Sequence, residues 1–310
     1  MTLTSFFEPA RSAVVPSVTT REELIAANGI GGATWSAMLA IGAGLGGLVA
    51  GTLGTDAAFV IDSASFLLSA VFIWRVSLHE EHMDGRPRPS QLHELREGFA
   101  FMLGRRDVAL YTLTKALWSM GGGVLLLLTL FGRGVFPLGV DGALSIGLLY
   151  AARGVGAGIG PLLAQRWGGE SVRFLRRAIG PSFVFTAAGY VLFSRSPWLW
   201  LAMCAVMLAH IGGSIQWVFS TTLLQMSVPN QLLGRIFAAE LALMTLTSSI
   251  SNYTIGVAAD AGWPPATLAL VAASVFVLPG IVLALLLWPS PDEEIGRPAD
   301  QKIPEQAMED

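Results

Sequence analysis

The sequence predicts an all-α membrane protein that crosses the bilayer about eight times. Of its 310 residues 53% are hydrophobic and only 13% are charged, whereas soluble domains carry about 25% charged residues. The hydrophobic residues are gathered into runs of about twenty, the length of a helix across the hydrocarbon core. The formal net charge of -3 argues against nucleic acid as a partner, since such binding requires a basic surface.

The predicted spans follow one another through most of the chain. A polar segment precedes the first span, and a tight turn at Gly54, Thr55 and Asp56 separates the first span from the second. The eight predicted spans are 33–53, 57–76, 109–131, 143–165, 178–194, 198–222, 237–258 and 265–288.

Two segments of the chain are not expected to cross the membrane. A charged connector occupies 77–106, where Ser90 can cap a short amphipathic helix that lies on the membrane surface. The apolar face of that helix is predicted to carry Leu92, Leu95, Phe99, Met102 and Leu103. The tail at 289–310 is acidic and rich in proline, and is predicted to be disordered.

The distribution of Lys and Arg predicts the orientation of the spans. Arginines are concentrated in the connector, in the 166–177 loop and near Arg235, whereas only Arg133 and Arg195 fall in loops on the other side. Positive residues accumulate in cytoplasmic loops, so the connector and both chain ends are expected to be cytoplasmic.

Glycines spaced four residues apart predict a close contact between two spans. The 143–165 span carries glycines at 154, 156, 158 and 160, and the first span contains the stretch GAGLGGLVAG. Small residues at this spacing let two membrane helices bring their backbones together. Gly42 and Gly46 are therefore expected to pack against Gly156 and Gly160.

A weak internal echo predicts two parallel repeats. Val15-Pro16 and Val228-Pro229 each precede a polar, Arg-containing loop and then an apolar span. Counting spans back from each copy predicts a complete second repeat and a first repeat without its front helices. The expected organisation is a remnant of the first repeat, the connector, a complete six-helix repeat and the tail, at 1–76, 77–106, 107–288 and 289–310.

Several stretches together resemble the major facilitator superfamily. They are FFEPARSAVVP (6–16), IGAGLGG (41–47), HELREGFAFMLGRRDV (93–108), PLLAQRWGG (161–169) and VPNQLLGR (228–235). The resemblance is greatest to the bacterial exporter branch with enterobactin-exporter-like and macrolide-efflux-like proteins. PLLAQRWGG is similar to a degenerate copy of the family's loop motif, in which Arg166 and Gly168 match and Gln165 stands where Asp is usual.

The resemblance implies a helical bundle that runs from the end of helix four to helix twelve, with helices seven and ten beside a central cavity. It implies efflux of drug- or siderophore-type small molecules by alternating access, in a multi-pass protein of the bacterial inner membrane. The alternative is a transport-inactive truncated membrane protein or an interaction scaffold. No catalytic constellation occurs, so an enzyme is not expected. Neither a cofactor nor a metal is expected, because the HEEH tetrapeptide at 79–82 has no further ligands.

Four polar residues inside spans are candidates for the substrate cavity, each with a structural alternative. Lys115 either snorkels to the interface or lies in the cavity and binds an anionic substrate. Arg153 is costly in lipid and either lines the transport path or makes an ion pair or bonds to backbone carbonyls. His210 and Gln216 fit a cavity wall, and helix-to-helix hydrogen bonds explain them equally well.

Two carboxylates are candidates for proton coupling. A proton-coupled exporter needs a carboxylate that exchanges protons between states, and Asp62 and Glu240 lie nearest to membrane depth. Asp62 falls on a helix that is peripheral in the family, and Glu240 lies near the inner edge of its span.

Overall fold

In a computed structural model of the chain, the regular secondary structure of the described residues is entirely helical. The structure describes residues 9, 12–16, 19–20, 23–75, 91–168 and 171–288. Three predicted features lie outside the described residues: most of the polar N-terminal segment, the connector at 77–90 with Ser90 and the HEEH tetrapeptide, and the tail at 289–310.

The α-helices of the described ranges are numbered in chain order. They are α1 (Leu24–Leu53), α2 (Thr55–Trp74), α3 (Gln91–Gly104), α4 (Arg106–Ser119), α5 (Val124–Leu130), α6 (Ala143–Gly168), α7 (Val172–Ser194), α8 (Leu199–Ser227), α9 (Asn230–Asp260) and α10 (Pro265–Leu287). A π-helical turn, Phe131–Val135, extends α5, and a 3-10 turn, Val140–Gly142, precedes α6.

The all-α membrane fold predicted from the sequence is confirmed. Seven spans in the described residues are long and apolar enough to cross a membrane: α1, α2, α4 joined to α5, α6, α8, α9 and α10. The remaining predicted span, 178–194, corresponds to α7, whose first two turns carry Arg173, Arg176 and Arg177. At about 1.5 Å per residue, the 23 residues of α7 reach about 35 Å, but only its later part is apolar.

The predicted span 109–131 is one apolar run but not one continuous helix. Residues 120–123, which include a glycine triplet, separate α4 from α5. The Ser251 hydroxyl of α9 donates to the Met120 carbonyl at 2.6 Å and accepts the Gly123 N–H at 3.2 Å. A side chain from the neighbouring helix therefore satisfies backbone groups that the break leaves without a helical partner, as a membrane interior requires.

The helices pack in a continuous series around α6 and α8. α6 lies between α1 and α8, α7 lies between α8 and α10, and α4 lies against α8 and α9. The core of this bundle is aromatic and aliphatic, with Tyr111, Phe183, Tyr190, Phe219 and Phe276 among its largest fully buried side chains. By contrast, α2 packs mainly on α1 and presents exposed side chains along its span.

The predicted pairing of Gly42 and Gly46 with Gly156 and Gly160 is wrong. An added Cβ at Gly42 or at Gly46 would meet nothing within 4 Å, so this face of α1 is open. Gly156 and Gly160 do support a close helix contact, but with α8, where they meet backbone atoms of Met207 and Ile211. The four-residue spacing was correct for close packing, and the partner faces were not.

The contact between α1 and α6 uses a different set of small residues. An added Cβ on Gly147 would lie 2.6 Å from the Gly47 Cα and 2.8 Å from the Ala43 carbonyl oxygen. Farther along, an added Cβ on Gly154 would lie 2.8 Å from the Ala40 Cα. The two backbones are thus in direct contact, and we call this line of small residues the α1–α6 seam.

Candidate functional site

A buried ion pair joins α4 to α9. Lys115 Nζ lies 2.6 Å from Glu240 Oε2, and the two residues are 6% and 4% exposed. The lysine ammonium also lies 4.8 Å from the ring centroid of Trp217 and 5.8 Å from that of Phe237. The Lys115 side chain is only 8% exposed and is paired with a carboxylate of another helix, an arrangement that neither alternative for Lys115 included.

One carboxylate oxygen of the Lys115–Glu240 pair has no hydrogen-bond partner in the described residues, so the pair can bind a further group. Glu240 Oε1 is buried and has no hydrogen-bond partner among the residues that the structure describes. A buried pair of charges recovers its desolvation cost only when its remaining hydrogen-bonding positions are filled. The free oxygen can therefore accept a proton, a water molecule or a ligand donor, and each would weaken the hold of Glu240 on Lys115.

Arg153 lies within α6 and has no counter-ion among the residues that the structure describes. Its guanidinium carbon lies 5.6 Å from the Trp35 ring centroid and 5.9 Å from the Tyr150 ring centroid. Its Nε is buried without a hydrogen-bond partner in the described part of the chain. The ion pair or carbonyl bonds of the structural alternative are absent among the described residues, and cation–π contacts supply only about 0.5–2 kcal/mol each.

His210 forms a contact between α7 and α8. Its Nδ1 lies 3.0 Å from the Val206 carbonyl oxygen, and its Nε2 lies 3.5 Å from the Tyr190 hydroxyl. Because a carbonyl only accepts, Nδ1 carries the proton, and the neutral ring then accepts from Tyr190 through Nε2. The geometry matches the structural alternative for His210, a hydrogen bond between two helices.

Gln216 is buried without hydrogen bonds in the described ranges. Neither Oε1 nor Nε2 of its amide has a partner there, and each unsatisfied buried group costs about 1–3 kcal/mol. The next residue, Trp217, contacts both Lys115 and the edge of Trp118, whose ring centroid is 6.0 Å away. An unpaired amide one residue from the ion-pair cluster is a position for water or for a polar ligand group.

The remaining sequence candidates lie apart from this cluster. Asp62 is exposed on α2, whose main neighbour is α1, so the structure does not bring it to Lys115 and Glu240. The loop-motif residues Gln165, Arg166 and Gly168 occupy the last turn of α6, where Arg166 is exposed and the Gln165 side chain is outside the description.

Two of the stretches that carry the resemblance contact each other. Arg235 of VPNQLLGR forms an ion pair with Glu97 of HELREGFAFMLGRRDV, and Gly98 lies directly against the Arg235 side chain. Next to them, Arg105 makes a two-pronged contact with Asp107, at 3.0 and 2.7 Å. α3 is thereby fastened to the start of α9 at one end of the bundle.

Sequence reasoning missed the aromatic groups around the two cations. Trp217 and Phe237 flank Lys115, and Trp35 and Tyr150 flank Arg153. The pairing of Lys115 with Glu240 had a usable signal, because a lone cation and a lone carboxylate inside apolar spans each require a partner. No group of three or more metal-ligating side chains occurs in the described residues.

Comparisons with known proteins agree on one family. A model of the Major Facilitator Superfamily matches residues 2–239. The chain is 27% identical over 289 residues to "Uncharacterized MFS-type transporter YjbB" of Bacillus subtilis (strain 168), covering 91% of this chain and 68% of the relative. It is 26% identical over 259 residues to "Putative bacilysin exporter BacE" of the same organism, covering 81% and 62%.

A solved structure with the same fold is the E. coli fucose:proton symporter FucP. The match has a TM-score of 0.51 at 15% identity and covers 76% of this chain. Identity this low supports the fold alone. The chain spans 55% of that symporter and 62% of the BacE relative.

Proposed function

The chain belongs to the Major Facilitator Superfamily of membrane transporters, and we propose that it exports small molecules by alternating access, with Lys115 and Glu240 coupling export to protons. Members of this family are secondary transporters and not enzymes, and move a substrate through a site between two repeats near the bilayer midplane. The direction and the exporter branch are supported by the name of the BacE relative and by the sequence resemblance described above.

The observation that carries the proposal is the buried Lys115–Glu240 pair. Removing two charges from water costs several kcal/mol per ion, and apolar residues of similar volume are often as good for stability. A pair retained between α4 and α9 is therefore better explained by function than by stability. Charged groups inside a membrane are commonly parts of ion or proton pathways.

Protonation of Glu240 provides a simple two-state change. With Glu240 ionised, the 2.6 Å contact with Lys115 ties α4 to α9. When Glu240 takes up a proton it becomes neutral, and Lys115 loses its counter-ion while remaining over the Trp217 ring. A hydrogen-bond donor of the substrate can bind the free Oε1 only while Glu240 is ionised. Uptake of a proton therefore displaces the substrate, and this exchange is what proton-driven export requires.

Transport in proteoliposomes under an imposed pH gradient tests this proposal. Glu240→Gln keeps the shape of the side chain and removes its charge, so proton-driven uptake of a dye panel into inside-out vesicles should be lost. Asp62→Asn tests the second coupling candidate and should retain proton-driven uptake. Asp141→Asn is the control, because Asp141 lies in an exposed turn at φ 49°, a conformation that Asn adopts readily.

A double variant separates function from folding. Removing one partner of a buried pair costs about 3–5 kcal/mol, so Lys115→Met combined with Glu240→Leu should fold better than either single change while remaining inactive. Proton-driven transport at the wild-type rate by Glu240→Gln would refute the coupling role. Absence of transport by the wild-type chain would instead favour the scaffold alternative.

A further inference from the structure

The guanidinium group of Arg153 carries hydrogen-bond donors for which the described residues provide no acceptor. In the described residues it contacts the faces of Trp35 and Tyr150, and its charge also acts electrostatically on Tyr190 and His210. Aromatic faces attract the positive charge, but they leave the in-plane N–H donors of the guanidinium unused. Lys115, by contrast, has a carboxylate in direct contact.

The groups around Arg153 do not supply the missing anion. Tyr190 and His210 are neutral hydrogen-bonding partners of each other, and the His210 proton is directed at the Val206 carbonyl. Trp35, on the other side, is 45% exposed, so the cluster is open next to α1. The missing acceptor can therefore arrive from outside the described chain.

We infer that Arg153, with Trp35 and Tyr150, is the subsite that binds a carboxylate or phosphate group of the transported molecule. Guanidinium donors form a planar fork that matches two oxygens of such a group. The ligand class that follows is a small organic anion. The inference rests on the proposed transport function, because it assigns part of the same cavity.

The position of the cluster relative to the ion pair supports one cavity. His210, beside Arg153, and Trp217, beside Lys115, are seven residues apart on α8. Seven residues are almost two helical turns, so both residues lie on one face of α8, separated by about 10 Å along its axis. A small molecule of that length can reach both cations.

A lipid headgroup phosphate shares this chemistry but has a less direct route to Arg153. Arg153 lies inside the 26-residue helix α6, about 15 Å from its first residue and about 22 Å from its last at 1.5 Å per residue. A phosphate anchored at the membrane surface would have to enter to that depth, whereas a free anion in the cavity would not.

Equilibrium binding to the purified full chain tests the inference without requiring transport. Saturation-transfer NMR in neutral phosphatidylcholine nanodiscs would compare a panel of N-acetylated aromatic amino acids with their amides. We expect carboxylates to bind at least tenfold more tightly than the matched amides. Arg153→Gln should abolish this preference, and Arg153→Lys should retain only part of it because lysine lacks the fork. Arg195→Gln, at an exposed loop position, is the control and should bind as the wild type does.

Three other outcomes would overturn the inference, and a fourth would overturn only the proposed function. Equal binding of carboxylates and amides by the wild-type chain would do so without any variant, so a folding defect in Arg153→Gln cannot leave the question open. Loss of probe binding in nanodiscs containing phosphatidylglycerol would assign Arg153 to a lipid headgroup instead. Arg153-dependent binding without proton-driven transport would refute the proposed function and leave the subsite, whereas transport unaffected by Arg153→Gln would refute the subsite alone.

Discussion

Gly147→Ala is the substitution that tests the α1–α6 seam most directly. The added methyl carbon would lie 2.6 Å from the Gly47 Cα and 2.8 Å from the Ala43 carbonyl oxygen. Ordinary van der Waals contact between carbon atoms needs about 3.5–4.0 Å. Both obstructing atoms belong to backbone, so no side-chain rotation relieves the collision, and α1 and α6 must separate by about 1 Å.

The expected loss is the balance of two opposing effects. Forcing an extra methyl group into a well-packed interface costs about 1–3 kcal/mol, whereas replacing Gly by Ala inside a helix gains up to about 1 kcal/mol. Gly46→Ala is the matched control, because it makes the same change one residue from Gly47 where an added Cβ meets nothing within 4 Å. Helix propensity cancels in the comparison, so Gly147→Ala should be less stable than Gly46→Ala by about 1–3 kcal/mol.

Thermal unfolding in a single detergent, followed by size-exclusion chromatography, measures this difference. At about 2–4 °C per kcal/mol, the midpoint of Gly147→Ala should lie roughly 2–12 °C below that of Gly46→Ala. Equal midpoints for the two variants would show that the backbones of α1 and α6 are not in contact at Gly147, and the description of the seam would be wrong.

Two further substitutions address contacts at the break and at the end of the bundle. Ser251→Ala removes the hydroxyl that donates to the Met120 carbonyl and should lower the free energy of unfolding by about 1–2 kcal/mol. Ser249→Ala is the control, because that hydroxyl bonds only within its own helix on an exposed face, and it should change the unfolding midpoint far less. Equal effects of the two changes would contradict the bridging role of Ser251. Glu97→Gln breaks the partly exposed ion pair with Arg235 and should lower the free energy of unfolding by less than about 1 kcal/mol. This difference from the wild type should disappear in 1 M salt. A larger loss of stability that salt does not change would contradict a surface ion pair.

Hydropathy was enough to predict the helices because membrane spans must be long and apolar. It could not predict the interruption at 120–123, since glycine and methionine continue the apolar run where the α-helix is interrupted. The residue that completes the break, Ser251, is 131 positions from Met120, and no local pattern connects them.

The glycine prediction failed because a four-residue spacing identifies a helix face but not its partner. Successive residues advance by about 100° around a helix, so Gly154 and Gly156 point to nearly opposite sides of α6. The structure uses both sides: Gly154 meets Ala40 of α1, and Gly156 meets Met207 of α8. Sequence alone offered two equivalent stripes of glycine and gave no reason to choose between their neighbours.

Candidate polar residues were recognisable singly because each is rare inside a span, but their relations were not. The chain separates Lys115 from Glu240 by 125 residues, and only the packing of α4 against α9 brings them together. Arg153 and His210 were both predicted to line the cavity, but their aromatic neighbours come from three different helices and no local pattern identifies them.

The interruption at 120–123 has a mechanical consequence for the ion pair. α4 is fastened to α9 twice, by Lys115 to Glu240 and by Met120 to Ser251, and the second fastening adjoins the glycine triplet. If the contact between Lys115 and Glu240 opens, the contact between Met120 and Ser251 still holds the C-terminal end of α4 against α9. The part of α4 that carries Lys115 can then tilt about this contact while α5 keeps its position. Opening of the contact at the Glu240 carboxylate would thus move about half of the span formed by α4 and α5.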